Sequence, residues 1–243
     1  MRTVYRKERY TLYTLNDFFC GAGGLGIGFK DAGFDIEKAW DFDKYAVQTY
    51  KENVGDHVEE KDITTMTIED VPKATAWTFG FPCQDLSVAG NQAGMETECN
   101  TCGTKWKLDT NNQNCPNCQS DDFKAANRSG LFFEIMRLLD EATERESQKR
   151  PLVIMAENVK ALRKYLPILE TEYAKRGYKA YYTLYNSKYW DVPQNRERYF
   201  VVGIRDDIDA EFIFPTEQHD YVPKLSSVLE TNVDEKYYIS DEK

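Results

Sequence analysis

Two kinds of apolar spacing alternate along the chain. Short runs rich in β-branched and aromatic residues, typical of buried strands, are separated by segments whose apolar residues recur every three or four positions, which is typical of amphipathic helices. This alternation predicts an α/β fold in which helices cover a sheet. The predicted strands are residues 10–19, 34–41, 76–81, 152–156, 179–184 and 199–204, and the predicted helices are residues 27–32, 45–53, 131–142 and 159–174.

The segment from residue 92 to residue 127 interrupts this alternation. It is polar and rich in asparagine, and it contains four of the six cysteines. Cys99, Cys102, Cys115 and Cys118 have the spacing C-x2-C-x12-C-x2-C, which suits a tetrahedral zinc site with four thiolate ligands. Four thiolates leave no position for a catalytic water, so the spacing predicts a structural zinc ribbon. Unrelated or oxidised cysteines are the alternative.

The composition is that of a folded protein without a membrane segment. The 243 residues are 41% hydrophobic, and no apolar run reaches the roughly 18 residues that span a bilayer. The N-terminal residues are basic but lack the apolar core of a signal peptide, so we expect a cytoplasmic protein with no membrane partner. The net charge of −10 argues against nucleic-acid binding by bulk attraction, although it allows a local basic cleft or a partner that supplies the positive surface.

The sequence NDFFCGAGGLGIGF joins a predicted strand to a predicted helix. Gly21, Gly23 and Gly24 allow the backbone to turn sharply and to approach a ligand without a Cβ in the way. Asp41 lies about 20 residues further on, at the end of the next strand, where a carboxylate accepts hydrogen bonds from ribose hydroxyls. A tight turn without a ligand remains the alternative.

Two features beyond this loop suit an adenine ring. Phe42 offers a flat face for a purine, and Asp62 and Ile63 are suited to the adenine amine and the ring face. The loop also satisfies the G-x-G-x-x-G pattern of nicotinamide cofactors. The residues alone therefore predict an adenosine cofactor without deciding which one.

The sequence GFPCQDLSVAG places Cys83 at the carboxyl end of a predicted buried strand, the edge at which open α/β sheets bind ligands. A small buried core cysteine is the simpler interpretation of a lone cysteine. Pro82 stiffens the turn, however, and polar residues follow it, so we expect a partly exposed thiol near the glycine loop. Such a thiol is a candidate nucleophile.

Charged residues follow or precede two further predicted strands. Glu157, in the sequence ENV, follows strand 152–156, where a helix N-terminal charge is the alternative interpretation. Arg196 and Arg198 come immediately before strand 199–204. Since alternating residues share one face of an extended chain, both guanidinium groups are expected to point into one cleft. A surface charge cluster is the alternative.

Taken together, these stretches resemble the cytosine-C5 DNA methyltransferases and occur in the order of that family. DFFCGAGG resembles its first motif, GFPCQDLS its nucleophile motif, ENV its acidic motif and QNRER its arginine motif; RSGLFFEIMRLL resembles the segment leading into the helix before the acidic motif. The resemblance implies a Rossmann-like methyltransferase sheet, interrupted here by the zinc ribbon. It also selects S-adenosylmethionine over a nicotinamide as the cofactor.

In this family a thiolate adds to C6 of cytosine, and C5 then takes the methyl group. The resemblance gives the thiolate role to Cys83, places Glu157 at N3 and the exocyclic amine, and places Arg198 at O2 with Arg196 in support. Since C5 is inaccessible inside a duplex, the base must be flipped out of the DNA. The residues expected to bind S-adenosylmethionine are Phe19, Gly21, Gly23, Gly24, Asp41, Phe42, Asp62 and Ile63.

The resemblance covers residues 14–205 apart from the cysteine-rich insert. We expect residues 1–205 to form the catalytic domain and residues 206–243 to begin the connection to a recognition region. Nothing after residue 205 resembles the family's recognition domain or its last two motifs, so the expected partners are a second subunit that carries them and double-stranded DNA, in a restriction–modification setting. A truncated chain, a catalytically incompetent module that binds S-adenosylmethionine and DNA, and an RNA cytosine methyltransferase are the alternatives.

The insert lies where the family has the mobile loop that closes over the flipped base. The resemblance therefore implies that the ribbon is the tip of that loop and touches DNA or the partner subunit. Lys105, Trp106 and Lys107 are expected to make this contact, unless Trp106 packs inside the ribbon.

Overall fold

A seven-stranded sheet lies at the centre of the fold. The computed structural model describes residues 13–83, 95–108 and 113–238. Its strands are β1 (Thr14–Phe18), β2 (Asp35–Asp41), β3 (Val58–Glu60), β4 (Ala76–Phe79), β5 (Glu96–Cys99), β6 (Lys105–Lys107), β7 (Phe123–Ala125), β8 (Val153–Val159), β9 (Tyr178–Asn186) and β10 (Glu197–Arg205). Its α-helices are α1 (Gly24–Asp31), α2 (Lys44–Asn53), α3 (Phe132–Arg145) and α4 (Leu166–Lys175).

The strands of the central sheet follow the order β3-β2-β1-β4-β8-β10-β9. The first five are parallel to one another, whereas β10 is antiparallel to both β8 and β9. The carboxyl ends of the parallel strands meet at one edge of the sheet, and β10 begins at that edge because it runs in the opposite direction. The α/β class predicted from the apolar spacing is confirmed.

The predicted limits of several strands are wrong, and two of the differences lie next to the candidate site. The strand predicted at residues 152–156 continues to Val159, and the strand predicted at residues 199–204 begins at Glu197. The two extensions pair with each other, since Arg198 lies opposite Val159 in the antiparallel ladder. Pairing between distant segments leaves no trace in local apolar spacing, and this is why the limits were missed.

Other differences from the prediction concern short or irregular segments. The helix predicted from residue 159 begins as a 3-10 helix at Lys160–Tyr165, and α4 follows with Pro167 in its first turn, where proline is favoured. Strand β3 and the three strands of the insert are too short to produce a visible period. Residues 10–12 of the first predicted strand lie outside the described residues.

Helices cover the sheet through two buried clusters. Phe132 of α3 and Tyr173 of α4 belong to the larger cluster, which also contains Ile154 of β8. Tyr50 of α2 belongs to the smaller cluster with residues of β2 and β3. Within the described residues, no helix combines the length and the apolar character that crossing a membrane requires.

The insert forms a second sheet of three antiparallel strands, in the order β6-β5-β7. Trp106 is only 8% exposed, and its ring meets that of Phe123 edge to face with the centroids 5.4 Å apart. Trp106 therefore packs inside the insert, whereas Lys105 and Lys107 are exposed. Residues 92–94, the predicted start of the insert, lie outside the described residues.

Candidate functional site

The glycine loop joins β1 to α1 at the carboxyl edge of the sheet. Phe19, Gly21 and Gly23 all have positive φ angles, of 54°, 54° and 95°. A Cβ added at Gly23 would lie 2.4 Å from Cγ2 of Val54. Any other residue at this position would therefore clash with Val54, and its backbone would be strained by the positive φ angle. Gly21 and Gly24 have no heavy atom within 4 Å of such a Cβ, so their backbone is open to a ligand.

Asp41 fixes the shape of this loop from the end of β2. One carboxylate oxygen of Asp41 accepts a hydrogen bond from the backbone N–H of Gly21 at 2.9 Å. The other oxygen accepts from the backbone N–H of Asp43, also at 2.9 Å. Each oxygen retains a second lone pair, which is the acceptor capacity that ribose hydroxyls need.

A narrow cleft beside the loop gathers most of the residues predicted to bind the cofactor. Phe19, Asp41, Phe42, Asp62 and Ile63 line it, and the side chain of Phe42 is 58% exposed. Five further residues line the cleft without having been predicted: Phe18, Trp40, Lys61, Met66 and Leu131. Leu131 is distant in sequence from the other lining residues, so local spacing gave no signal for it.

A buried carboxyl group lies beneath the loop. Asp17 of β1 is fully buried, and its Oδ1 accepts a hydrogen bond from the hydroxyl of Thr78 at 2.8 Å. Burial raises the pKa of Asp17 from 3.8 to about 7, although the Thr78 hydrogen bond acts in the opposite direction. Nothing in the local sequence pattern marks this residue.

Cys83 follows β4 in a turn at the carboxyl edge of the sheet. The residue is partly exposed, as the sequence analysis expected; residues 84–94 beyond it lie outside the described residues. The turn is anchored by Asn158 of β8, whose side-chain amide donates to the backbone carbonyl of Phe81 at 3.0 Å. Asn158 is 2% exposed and also accepts from the N–H of Val159 at 2.8 Å. This anchoring residue was missed because its partner is remote in sequence.

Glu157 lies inside β8 rather than after it, so its charge does not serve a helix N-terminus. Its carboxylate oxygen is 3.0 Å from Nε of Arg198, and its other oxygen is 3.7 Å from the position of a Cβ built on Gly80, just before the Cys83 turn. Burial raises the pKa of Glu157, and the Arg198 and Arg196 charges oppose that shift. Strand β8, the start of β10 and the segment after β4 that carries Cys83 therefore meet at one edge of the sheet.

A cavity of about 420 Å³ opens beside this ion pair. Glu157, Arg196 and Arg198 line its polar end, so the two arginines share one cleft, as their alternation predicted. The rest of the lining is mainly apolar. It comes from β8, β9, β10, the connection between β9 and β10 and the segment that follows β10: Met155, Tyr185, Ser187, Trp190, Phe200, Val202, Phe212, Phe214 and Pro215.

The four cysteines of the insert converge at the end of β5. Their sulphur atoms all lie within 4.8 Å of one another, and the pairs Cys99–Cys118 and Cys102–Cys115 are 3.5 Å apart. A tetrahedral zinc ion with Zn–S bonds of about 2.3 Å places its ligands about 3.8 Å apart. The donor set and its spacing therefore fit such an ion.

Comparison with known proteins connects these features. The family model for C-5 cytosine-specific DNA methylase matches residues 13–104 and 119–243. The orphan methyltransferase M.SPBetaI of Bacillus phage SPbeta is 30% identical over 266 residues, covering 93% of this chain and 58% of the relative. The type II methyltransferase M.NlaX of Neisseria lactamica is 32% identical over 238 residues, covering 95% of this chain and 64% of the relative. This chain thus spans about three-fifths of the length of these relatives.

Solved structures show the same fold at low sequence identity. The Dnmt2 methyltransferase of S. pombe has a TM-score of 0.65 and 18% identity, with coverage of 95% of this chain and 63% of the other. The Entamoeba histolytica methyltransferase EhMeth has a TM-score of 0.63 and 16% identity, with coverage of 94% and 63%. The fold and the family match together identify the chain as a member of the C-5 cytosine-specific DNA methylase family.

Proposed function

We propose that this chain transfers a methyl group from S-adenosylmethionine to C5 of cytosine in double-stranded DNA. The observation that carries the proposal is the meeting of three groups at one sheet edge. Asn158 anchors the turn before Cys83, and the adjacent Glu157 pairs with Arg198. Activation of a cytosine ring requires a nucleophile, a carboxyl group with a raised pKa and a fixed cation. In this chain the three candidate groups lie at adjacent strand ends.

The glycine loop and the cleft beside it are suited to S-adenosylmethionine, which when bound supplies an electrophilic methyl group. Gly21, Gly23 and Gly24 let the backbone approach the ligand, and Asp41 accepts from the ribose hydroxyls. Phe42 and Ile63 offer apolar faces to the adenine ring, Asp62 accepts from its amine, and Phe19 closes the cleft near β1. A purine ring and a ribose together need such a pairing of apolar walls and oxygen acceptors.

Cys83 would act as the nucleophile. Its thiolate would form a bond to C6 of the flipped cytosine, and the electrons of the C5–C6 double bond would pass to C5. C5 would then bond to the methyl group as the bond between that group and the sulfonium sulphur breaks, with the thioether as the leaving group. Loss of the C5 proton and expulsion of the thiolate then restore the double bond, so Cys83 is regenerated. Flipping the base costs a few kcal/mol of stacking and pairing energy.

Glu157 and the two arginines would stabilise the charge that develops on the ring. A carboxyl group whose pKa is raised by burial retains a proton more readily, and that proton hydrogen-bonds N3 of the cytosine. Arg198 would hold O2 of the ring and Arg196 would support the same position. Both cations line the cavity next to Glu157.

The four cysteines of the insert would hold one structural zinc ion. Cys99 and Cys115 are buried while Cys102 and Cys118 are exposed, so the site lies at the surface of the insert with one side covered. All four ligands come from the protein, and this is the arrangement of a structural rather than a catalytic site.

A second polypeptide would complete the enzyme and provide sequence recognition. The chain spans about three-fifths of the length of its relatives. The apolar end of the cavity is lined by Met155, Phe200 and Val202 of the sheet and by Phe212 and Phe214 after β10. It is a suitable surface for an apolar segment of that partner. The name of the N. lactamica relative, a type II methyltransferase, supports a restriction–modification role for this chain in the cytoplasm, whereas the phage relative is named an orphan methyltransferase.

The test is transfer of a radioactive methyl group from S-adenosylmethionine to duplex DNA, with tRNA as a parallel substrate. The full chain is assayed alone and co-expressed with the part of the N. lactamica relative that lies outside the match. We expect label in DNA from the co-expressed wild-type chain and none from Cys83→Ser. Label confined to tRNA, or no label in any combination, would overturn the proposal.

A further inference from the structure

We propose that the cysteine-rich insert positions two parts of the site, and that bound metal is required for this positioning. One is the narrow cleft beside the glycine loop, called here the cofactor cleft; the other is the segment 80–83 that carries Cys83, called here the nucleophile turn. The inference rests on the proposed function and extends it, because it gives the four-cysteine site a specific task. Three consecutive residues at the start of α3 carry the argument: Leu131, Phe132 and Phe133. Each of them reaches a different part of the molecule.

Leu131 is one wall of the narrow cleft that contains Asp41 and Phe42. Phe132 lies with its ring centroid 5.6 Å from that of Phe81, two residues before Cys83. Phe133 meets Phe123 of β7 edge to face, with the centroids 5.0 Å apart. A displacement of this one helical turn would therefore alter the cofactor cleft and the nucleophile turn together.

The insert is joined to this turn by hydrogen bonds to the Asn127 side chain as well as by aromatic packing. The side-chain oxygen of Asn127 accepts from the N–H of Gly130 at 3.0 Å and from the N–H of Glu96 at 3.3 Å. The carbonyl of Glu96 accepts from the N–H of Ala126 at 2.8 Å. Strand β5, which begins at Glu96, ends at the metal ligand Cys99.

Packing at Gly130 is close enough to transmit a displacement. A Cβ at this position would lie 3.0 Å from the carbonyl oxygen of Glu96 and 3.1 Å from Cα of Ala125, and both of these atoms are backbone. Tightly packed backbone moves as a unit and does not absorb strain locally.

Metal is needed because apolar packing, although it buries Trp106 and Leu108, acts on strands too short to hold the four-cysteine end of the insert in place by itself. Its three strands have 4, 3 and 3 residues, which is too few for a sheet of this kind to be stable alone. Metal binding supplies the folding energy of small cysteine-ligated modules. Without metal, β5 and β7 lose their fixed geometry, and the first turn of α3 loses its support.

The first experiment compares the zinc-loaded full chain with the same chain after zinc removal by a chelator. Binding of S-adenosylmethionine is measured by calorimetry, and the rate at which iodoacetamide alkylates Cys83 is measured by peptide mass spectrometry. We expect zinc removal to weaken cofactor affinity by about tenfold, equivalent to ~1.4 kcal/mol, and to change the alkylation rate of Cys83 several-fold. Both quantities unchanged within twofold after complete zinc loss would overturn the proposal.

A second experiment keeps the ligands intact, so that general unfolding on zinc loss does not decide the outcome. Gly130→Ala forces the insert away from the turn before α3, while Gly28→Ala is the matched control because a Cβ there has no heavy atom within 4 Å. Gly130→Ala should retain its zinc yet lose cofactor affinity and alter Cys83 alkylation, and Gly28→Ala should match the wild-type chain. Equal behaviour of the two variants would contradict the inference.

Phe133 provides a graded version of the same test. Phe133→Ala should lose as much cofactor affinity as Gly130→Ala. Phe133→Leu keeps an apolar side chain against Phe123 and should retain most of the wild-type affinity. If the zinc-loaded wild-type chain binds no S-adenosylmethionine, the cofactor part of the proposed function fails. The positioning inference is then judged on Cys83 alkylation alone.

Discussion

Replacing Asn158 with alanine removes the side chain that joins β8 to the segment that carries Cys83. Asn158 is 2% exposed, and its amide donates to the carbonyl of Phe81 at 3.0 Å. Phe81 is itself only 2% exposed, so water does not readily replace the lost donor. A buried carbonyl left without a partner costs about 1–3 kcal/mol. We therefore expect Asn158→Ala to lower the free energy of unfolding by about that amount, measured by urea denaturation.

Asn53 is the matched control. Its side-chain amide also donates to a backbone carbonyl, that of Thr49 at 2.8 Å, but the pair is exposed on α2. Water substitutes for the lost donor, so Asn53→Ala should change the free energy of unfolding by no more than about 0.5 kcal/mol. Equal effects of the two substitutions would refute the reasoning.

Asn158→Asp separates the lost hydrogen bond from lost volume. The aspartate side chain has nearly the same shape, but it places an oxygen acceptor against the Phe81 carbonyl. It should destabilise the chain at least as much as Asn158→Ala, and each variant should lose methyl transfer while binding S-adenosylmethionine with near wild-type affinity. An aspartate variant with wild-type stability would mean that the hydrogen bond contributes little.

Three further predictions concern Asp17, Asp41 and the cysteine cluster. Burial raises the pKa of Asp17 from 3.8 to about 7, so the folded state loses stability as pH rises across that interval. In urea denaturation, Asp17→Asn should therefore be more stable than the wild type at pH 7.5 but not near pH 4. The same difference in stability at both pH values would contradict this prediction. Asp41→Ala releases the N–H of Gly21 and should weaken S-adenosylmethionine binding by about tenfold in calorimetry, whereas unchanged affinity would remove Asp41 from the site. Cys102→Ser should reduce the zinc content of the purified chain measured by mass spectrometry, while Cys20→Ser, outside the cluster, should keep one zinc per chain; equal zinc content would refute the assignment.

Local sequence was sufficient for the parts of the molecule that depend on local geometry. The glycine loop was predictable because Gly21 and Gly23 need positive φ angles that other residues rarely adopt. The regular spacing of the four cysteines likewise predicted their convergence, since metal-binding knuckles are short and self-contained. The order of the strand and helix segments gave the α/β class for the same reason.

Other parts depend on contacts between residues far apart in the chain, and the sequence carried no local signal for them. Asn158 and Phe81 are 77 positions apart, and Asp17 and Thr78 are 61 apart. Glu157 was placed after its strand because the ladder with β10, which extends β8 to Val159, is invisible in the apolar spacing. The packing of the insert on α3 was unpredicted on the same grounds.

The central claim is that Cys83 attacks C6 of a flipped cytosine. The most direct test uses the full chain co-expressed with the part of the N. lactamica relative that lies outside the match. It is incubated with S-adenosylmethionine and duplex DNA containing 5-fluorocytosine, which blocks the final loss of the C5 substituent. The account predicts a covalent protein–DNA adduct that mass spectrometry locates at Cys83 and that Cys83→Ser abolishes. An adduct at another residue, or methylated DNA produced by Cys83→Ser, would contradict it.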